Sequence, residues 1–376
     1  MRSVVERLLP EYLQFWRDIC MMETPSHDKD ALDQQADFIE AFAKARGFGV
    51  ARQSNERAGD TLLIELAGDG EQAPVALLAH MDTVHERGAF GNPPVREENG
   101  ILYGPGVFDC KGGIALCLLA MQTLAEMGVS HRTVKLILNS DEENGTFVGK
   151  AGVDFIKESA RGAVAAFNAE AGRADSLTVG RKGIISATIK VCGIAGHAGN
   201  AYFSSASAIR EAAHKIIELE AQSDEDVTYN CGIVRGGSAR NIVPAACEIS
   251  VDVRFWNAAQ QKRALAVLEQ VTQHMHVEDC TATWKLDSVR PAMEHTAENQ
   301  ALFEMVKETV DALALPPLEG LTRGGGSDSA YTVEIGIPTV CSMGPVGRYE
   351  HTAREEADIA TLAERALLMV SCILKV

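Results

Sequence analysis

The sequence lacks the features that mark several large classes of protein. Its 376 residues contain no low-complexity tract and no repeat visible by eye. They also contain no apolar run of about 18 residues, the length that a transmembrane helix needs. Basic residues are not in excess, since the formal net charge is -17 at pH 7. The composition argues against a membrane span and against a nucleic-acid partner, which needs a basic face. It leaves anionic small substrates open, because a few arginines can dominate one cleft.

Paired cysteines are also missing. The nine cysteines are scattered, odd in number and without any C-x-x-C pair, which is typical of reduced thiols in a cytosolic protein. Charged residues interrupt the apolar positions of residues 1–26, so this stretch predicts an amphipathic surface helix rather than a secretory signal. We therefore expect a cytoplasmic protein, and any metal site has to be built from histidine, aspartate and glutamate.

Alternating strand and helix patterns predict the architecture. Five consecutive apolar residues, 75–79, indicate a buried strand, and similar strands alternate with helices, which predicts an α/β fold with a mixed, mostly parallel sheet flanked by helices. From about residue 180 the order changes to β-α-β-β-α-β, the ferredoxin-like unit. The length also favours two domains. We expect a catalytic domain at 1–180 and 289–376, with an inserted lid and dimerisation domain at 181–288.

Histidines and carboxylates fall where the predicted strands end, the edge at which α/β proteins place their chemistry. This set suits two divalent ions, because Zn²⁺ takes histidine nitrogen and carboxylate oxygen and a metal pair usually shares one carboxylate. One carboxylate is left over, and it can serve as a general base. The residues are His80, Asp109, Glu142, Glu143, Glu170 and His351.

Simpler interpretations compete with a metal site. Glu142 and Glu143 taken alone would more readily be a solvated turn, and only the shared placement at strand ends favours a site. The segment GPGVFDCKGG suggests a nucleotide-binding loop, but Asp109 stands where G-x-G-x-x-G has its third glycine. No Walker lysine follows GGGSDS either. A nucleotide site is therefore disfavoured.

Eight short motifs occur in a characteristic order: AHMDTV, GPGVFDCKGG, NSDEENG, FNAEAG, GHAG, NIVPA…DVR, TRGGGSDSAY and GP…H. Together they resemble the dinuclear zinc aminoacylase and glutamate-carboxypeptidase family of exopeptidases and amidohydrolases. The resemblance spans roughly residues 10–376 and implies the zinc-exopeptidase type of fold. Glu170 resembles the folate-cleaving glutamate carboxypeptidase branch more than the branches that have aspartate at this place.

The resemblance implies roles for the acids and histidines. Asp109 would bridge two Zn²⁺ ions, with Co²⁺ or Mn²⁺ as alternatives. His80 and Glu143 would complete one zinc site, and Glu170 and His351 the other. The family often has a cis peptide after the bridging aspartate, which here is the bond between residues 109 and 110.

The resemblance also implies catalytic groups beside the metals. Glu142 would be the general base, and Asp82 would orient the imidazole of His80. His197 would donate a hydrogen bond to the developing oxyanion from the neighbouring subunit of a homodimer.

Candidate substrate ligands follow from the same motifs. Asn241 and Arg254 are thirteen positions apart, as in the carboxypeptidase branch, and a guanidinium matches a carboxylate with two parallel hydrogen bonds. The alternative for Arg254 is an edge-strand arginine paired with Asp252 or another acid. Further candidates are Arg323, Lys182 and the glycines Gly325 and Gly326, which would line the pocket for the substrate carboxylate. His85 matches no role and is expected at the surface or the edge of a cleft.

These expectations together predict an amidohydrolase that cleaves an amide bond next to a free carboxylate. A C-terminal glutamate or aspartate, or an N-acyl amino acid, is the expected substrate. The alternatives are a deacylase or dipeptidase with another acyl preference and a hydrolase of a non-peptide C–N bond. A non-catalytic, metal-stabilised binding protein is a further alternative. The sequence has both Glu142 and His197, which favours an enzyme. Glu142 binds no metal in this scheme, so a protein that only binds metal would not need it.

Overall fold

The computed structural model describes residues 1–145 and 150–376 and divides them into two compact units. Unit 1 comprises residues 1–180, 295–323 and 327–376, and unit 2, the inserted unit, comprises 181–294 and 324–326. The helices are α1 (Arg2–Met21), α2 (Lys29–Lys44), α3 (Lys111–Met127), α4 (Lys150–Ala160), α5 (Ala208–Glu220), α6 (Ala258–Gln273), α7 (Ala297–Ala312), α8 (Ser329–Glu334) and α9 (Ala360–Lys375).

The first strands along the chain are β1 (Gly49–Gln53), β2 (Thr61–Leu66), β3 (Val75–His80), β4 (Arg96–Glu98), β5 (Ile101–Tyr103), β6 (Val134–Asn139), β7 (Ala165–Asn168), β8 (Ser176–Arg181) and β9 (Gly183–Cys192). The remaining strands are β10 (Gly196–His197), β11 (Thr228–Gly236), β12 (Ile242–Val243), β13 (Ala246–Phe255), β14 (Thr281–Arg290), β15 (Glu319–Arg323), β16 (Thr339–Val340), β17 (Gly347–Arg348) and β18 (Glu356–Asp358).

A six-stranded sheet in the order β1-β2-β6-β3-β7-β16 forms the centre of unit 1. Strands β6, β3, β7 and β16 are parallel, whereas β1 and β2 add an antiparallel edge. Every residue of β3 is buried, as expected for a strand covered on both faces of its sheet. The predicted mixed, mostly parallel sheet flanked by helices is confirmed.

Long helices bury the apolar core of unit 1. Helix α1 packs on α3, and α3 packs on α9. Lys111, at the start of α3, is fully buried and donates hydrogen bonds to the carbonyl oxygens of Ile19 and Met22 at 3.1 and 2.8 Å. These acceptors lie at the C-terminal end of α1, where backbone carbonyls have no partner within the helix. The contact fixes the start of α3 and therefore the loop that precedes it.

The inserted unit carries an antiparallel sheet in the order β11-β13-β9-β14, connected in sequence through α5 and α6. This is the strand order of the ferredoxin-like β-α-β-β-α-β unit. Strand β13 has the expected alternation, with residues 247, 249, 251, 253 and 255 buried. Because β14 runs to Arg290 and the unit ends at Glu294, the inserted unit extends beyond residue 288, where the sequence analysis places its end.

Smaller sheets complete unit 1. One of them, β17-β18-β5-β4, is built from residues on both sides of the insertion. Among the described residues, none of the helices combines the length and the apolar character needed to cross a membrane.

Candidate metal centre

The carboxyl edge of the central sheet brings the five expected ligands together. His80 is the last residue of β3, and Glu143 and Glu170 follow β6 and β7, which both pair with β3 in parallel. Asp109 immediately precedes the N-cap of α3, and His351 lies between β17 and β18. Parallel pairing aligns the strand ends, so residues far apart in sequence meet at one edge.

Asp109 lies at the middle of this group. Its Oδ1 is 3.2 Å from Nε2 of His80, and its Oδ2 is 3.5 Å from Nε2 of His351. Each carboxylate oxygen therefore faces a different histidine, which is the arrangement that a carboxylate bridging two cations requires. The peptide bond between Asp109 and Cys110 is cis, as expected.

The other two expected ligands, Glu143 and Glu170, are each nearer to the histidine that was expected to pair with the other. Glu143 Oε2 lies 3.2 Å from Nε2 of His351, and Glu170 Oε1 lies 4.0 Å from Nε2 of His80. The expectation that Glu143 would join His80, and Glu170 would join His351, is therefore wrong. Sequence order does not determine this pairing, which depends on how the turn after β6 and the loop after β17 fold around Asp109.

The electrostatics of the group indicate an excess of negative charge. Burial raises the pKa of Glu143, with the charge of Asp109 acting in the same direction and the hydrogen bond with His351 opposing it. Hydrogen bonds with Asp109 and Glu143 raise the pKa of His351. Two imidazoles cannot balance this many buried carboxylates, so the donor set fits divalent cations, which would supply the missing positive charge.

Cys110 also lies beside His80 and Asp109 but is poorly suited to bind a metal. Burial raises the pKa of its thiol to about 12, whereas the thiolate is the form that ligates metals. Its Sγ lies 3.1 Å from the backbone N–H of His80, which donates to it. We therefore assign the side chain of Cys110 to packing rather than to metal binding. This agrees with the expectation of a site made from histidine and carboxylates.

Asp82 connects the ligands of two strands. Its Oδ1 lies 3.3 Å from Nδ1 of His80 and accepts the backbone N–H of Glu142 at 3.1 Å. Its Oδ2 accepts the N–H of Glu143 at 3.0 Å and the hydroxyl of Ser26 at 2.7 Å. The carboxylate is fully buried. It therefore orients the imidazole of His80 and also fixes the backbone of the acidic turn, which carries Glu142 and Glu143.

Glu142 is buried next to His80 and Glu170. One of its carboxylate oxygens lies within 4.8 Å of ligand atoms of His80 and Glu170. The hydrogen bond from its backbone N–H to Asp82 fixes the position of the main chain from which the side chain extends. This position suits a proton acceptor that stands beside the ligands, and the role of Glu142 as base stays a prediction.

Close packing of α3 brings Asp109 near the strand that ends before Glu170. A Cβ atom on Gly113 would come within 2.0 Å of the carbonyl oxygen of Ala169. Only glycine permits this approach of helix and backbone, which explains the glycine pair that follows Asp109 and Lys111 in the sequence.

Glu355 is a supporting residue that the sequence analysis missed. Its carboxylate is buried and accepts the backbone N–H groups of Gly106, Phe108 and Asp109 at 3.2, 2.8 and 2.9 Å. It also lies 2.7 Å from Nε2 of His85. These contacts fix the loop that presents Asp109. The expectation of a surface or cleft-edge position for His85 is wrong, because its ring is buried against this carboxylate.

The glycine-rich loop comprises residues 324–326. The segment that follows it is hydrogen-bonded to the ends of two strands. Asn139 donates from Nδ2 to Asp328 at 2.8 Å, and Asn168 donates from Nδ2 to the hydroxyl of Ser329 at 2.8 Å. These asparagines end β6 and β7. The start of α8 therefore braces the strand ends from which the acidic turn and Glu170 emerge.

In the inserted unit, the expected oxyanion donor has a defined tautomer. The backbone N–H groups of Gly199 and Asn200 donate to Nδ1 of His197 at 3.1 and 3.3 Å. A neutral imidazole whose Nδ1 accepts carries its proton on Nε2. Strand β10 pairs with β12, and the N–H of Ala198 donates to the carbonyl oxygen of Asn241 at 3.0 Å. His197 and Asn241 are both exposed.

Arg254 has the partner that the alternative interpretation names. Its Nε and Nη2 donate to the two carboxylate oxygens of Asp252 at 2.6 and 3.0 Å. The strand is not an edge strand, however, because β13 lies between β11 and β9. Lys182 lies over the ring of Trp256, 5.0 Å from the ring centre, an attractive cation–π contact. Their roles as substrate ligands stay predictions.

Two buried arginines that the sequence analysis missed adjoin the glycine-rich loop. Arg181 donates to the carbonyl oxygens of Gly325 and Gly326 at 3.3 and 3.2 Å. The side chain of Arg290, only 5% exposed, passes 3.0 Å from the place that a Cβ of Gly326 would occupy. Nothing in the local sequence marks either arginine, since their proximity to the loop comes from the fold.

Arg323, which directly precedes the loop and belongs to unit 1, contacts β8. It donates from Nε to the hydroxyl of Thr178 and from Nη2 to the hydroxyl of Ser176, both at 3.0 Å. Its guanidinium thereby joins β15 to β8. A role for Arg323 at the substrate stays a prediction.

Comparison with known proteins agrees with this architecture. A model of peptidase family M20/M25/M40 matches residues 76–375. Carboxypeptidase G2 from Pseudomonas sp. (strain RS-16) is 28% identical over 377 residues, covering 97% of this chain and 89% of that protein. A succinyl-diaminopimelate desuccinylase from Xanthomonas oryzae pv. oryzae is 28% identical and covers 79% and 82%. The crystal structure of aminopeptidase PepT from Bacillus cereus superposes with a TM-score of 0.79 at 21% identity, covering 99% of this chain and 98% of that one.

Proposed function

Because the chain belongs to peptidase family M20/M25/M40, we propose that it is a dinuclear metal-dependent hydrolase of an amide bond next to a free carboxylate. The observation that carries this proposal is the position of Asp109, whose two oxygens face His80 and His351 separately. Glu170 and Glu143 complete two sets of ligands around it. Such sets fit Zn²⁺, and histidine with carboxylate also suits Co²⁺ and Mn²⁺.

Bound metal ions would lower the pKa of a shared water toward neutrality and polarise the amide carbonyl. The chain supplies the proton transfers. Glu142 stands beside the ligands, where it can take a proton from the attacking water and return it to the leaving nitrogen. Asp82 keeps Glu142 and His80 in place through the hydrogen bonds described above.

His197 would stabilise the tetrahedral oxyanion. Because Nδ1 accepts two backbone hydrogen bonds, a neutral ring carries its proton on Nε2 and can donate it. Preorganised donors of this kind strengthen as negative charge develops on the oxygen. We propose that this donor acts on the active site of a second copy of the chain.

A homodimer through the inserted unit would bring that second copy. Large apolar side chains are exposed on this unit, including Tyr202 at 55%, Phe203 at 101% and Ile217 at 70%. Strand β11 lies at the edge of its sheet, and an edge strand can pair with another chain. Sedimentation velocity should therefore give the mass of two chains, and Phe203→Glu should shift the equilibrium toward one. A monomeric wild type at micromolar concentration would contradict the dimer.

The substrate carboxylate requires a cation, and the glycine-rich loop is the expected place for it. Arg290 is buried, and its side chain passes 3.0 Å from the place that a Cβ of Gly326 would occupy. We therefore place Arg290 beside Arg254 and Asn241 as a ligand of the substrate carboxylate. Gly325 and Gly326 lack side chains, which lets a ligand approach the backbone.

Arg290→Lys should raise KM for substrates with a free carboxylate by about tenfold or more, since a charged hydrogen bond is worth about 1.5–3 kcal/mol. The same substrates with the carboxylate converted to a carboxamide should be hydrolysed equally slowly by wild type and variant. The exposed Arg263, which pairs with Asp224, provides the matched control Arg263→Lys. An unchanged KM in Arg290→Lys would remove Arg290 from the carboxylate site.

The substrate class is tested by a panel of N-acyl amino acids and dipeptides assayed with Zn²⁺, Co²⁺ and Mn²⁺. The C-terminal side chain and the acyl group are varied separately. We expect hydrolysis only where a free carboxylate adjoins the amide, with glutamate or aspartate preferred. Hydrolysis that does not depend on the free carboxylate would contradict this substrate class.

A deacylase with another acyl preference is the second candidate, and similarity to the desuccinylase supports it. The same panel distinguishes the two, because a deacylase would discriminate among acyl groups more strongly than among C-terminal residues. We further propose that the protein acts in the cytoplasm, where its nine cysteines would stay reduced, as the absence of a C-x-x-C pair suggests.

A further inference from the structure

Three side chains of the inserted unit converge: Glu218, and two histidines that lie 56 and 58 residues further along the chain. His274 Nδ1 lies 3.0 Å from one carboxylate oxygen of Glu218, and His276 Nε2 lies 3.0 Å from the other. One ligand atom from each of the three residues lies within 4.8 Å of the other two. Imidazole nitrogen and carboxylate oxygen bind Zn²⁺ at about 2.0–2.2 Å. Small rotations of these side chains are enough to place all three donors around one cation.

The backbone that carries both histidines is fixed by a buried ion pair. Lys215 and Glu211 are fully buried on α5 and lie 3.0 Å apart. Lys215 donates to the carbonyl oxygen of His274 at 2.9 Å, and Glu211 accepts the backbone N–H of His276 at 2.9 Å. A site on a backbone held in this way has less freedom to lose on binding a ligand.

The imidazole rings are also packed against each other. The ring centres of His274 and His276 are 4.3 Å apart, and the ring of His214 stacks on that of His276 with a ring-centre distance of 4.6 Å. His214 and Glu218 are one helical turn apart on α5, so the same face of the helix carries the stacking ring and the carboxylate. This packing limits rotation of the rings and favours the geometry in which both face Glu218.

We propose that Glu218, His274 and His276 form an accessory site for a divalent transition-metal ion, separate from the Asp109 group. Two imidazoles favour Zn²⁺, Cu²⁺ or Ni²⁺ over Mg²⁺ or Ca²⁺. The side chains are 25%, 58% and 28% exposed, respectively, so an ion can enter from solvent and water can complete its coordination. The ion would link the end of α5 to the segment after α6 and stabilise the inserted unit.

Zinc content measured after equilibrium dialysis of the full chain against Zn²⁺ tests this site. Wild type should bind one zinc ion per chain more than His274→Ala, and Glu218→Gln should lose the same ion while keeping the size of the side chain. His295→Ala removes an exposed histidine that lies in unit 1, and it should bind as much zinc as wild type. The test uses the difference in zinc content between wild type and variant. This difference does not depend on how many ions the residues around Asp109 bind.

Site-resolved chemical modification provides a second readout that needs no variant. Zn²⁺ should protect His274 and His276 from diethyl pyrocarbonate, whereas His295 should react equally with and without zinc. Equal zinc content in wild type, His274→Ala and Glu218→Gln would overturn the accessory site, and so would unchanged modification of His274 and His276 on adding zinc.

Discussion

Replacing Glu142 with alanine should lower kcat by about 10²- to 10⁴-fold, the usual contribution of a general acid–base group, and leave the metal content unchanged. The reason is the division of labour among the acids at the strand ends. Asp109, Glu143 and Glu170 lie 3.2, 3.2 and 4.0 Å from histidine nitrogens, and we assign them to metal binding. The fourth carboxylate, Glu142, lies within 4.8 Å of His80 and Glu170, and we assign it to proton transfer. Loss of the base would leave water attack without a proton acceptor and the leaving nitrogen without a donor.

The control for this experiment is Glu98→Ala, which removes an exposed carboxylate on β4 and should change neither metal content nor kcat. Glu143→Ala should behave differently from Glu142→Ala, because it should lose metal together with activity. Two measurements on each variant separate these cases: the metal content, and the folded fraction from circular dichroism. A Glu142→Ala enzyme with a wild-type rate would contradict the base assignment.

Removing metal should abolish hydrolysis altogether. Dialysis against phenanthroline or a strong chelating dicarboxylate should reduce the rate to that of the uncatalysed reaction, and Zn²⁺, Co²⁺ or Mn²⁺ should restore it. The physical reason is that the buried carboxylates would then repel one another, and the cations that lower the pKa of water toward neutrality would be missing.

Restoration is the essential part of the metal experiment, since it separates loss of metal from unfolding. The Asp109→Asn variant provides the matched test, because an amide keeps the size of the side chain but offers only one oxygen to bridge two ions. We expect added metal to restore the chelated wild type and not this variant. Full activity of metal-depleted wild type would contradict the metal-dependent account.

Local sequence patterns were sufficient to predict the central sheet and the kinds of residue at its edge. The buried run before His80 is a strand because apolar branched residues covered on both faces form one. The alternation in β13 likewise gives one buried and one polar face. The ligand types follow, because carboxylates and histidines at strand ends are brought together by parallel pairing. Their assignment to bound metals stays a proposal.

Contacts between distant segments could not be predicted in the same way. The pairing of Glu143 with His351 depends on two loops whose relative position no local pattern encodes. Glu355 supports the backbone of Asp109 across 246 residues of sequence. Arg290 reaches Gly326 only because the sheet of the inserted unit brings its end to the glycine-rich loop. Glu218 and the histidines after α6 are similarly brought together by packing.

Anomalous diffraction from a crystal grown with Zn²⁺ tests the central claim most directly. Around Asp109, the map, recorded on both sides of the zinc absorption edge, should show two peaks about 3.5 Å apart, one on each oxygen of that carboxylate. One peak should adjoin His80 and Glu170, and the other His351 and Glu143. A single peak beside Asp109, or two peaks there that do not share its carboxylate, would contradict a dinuclear centre in this protein.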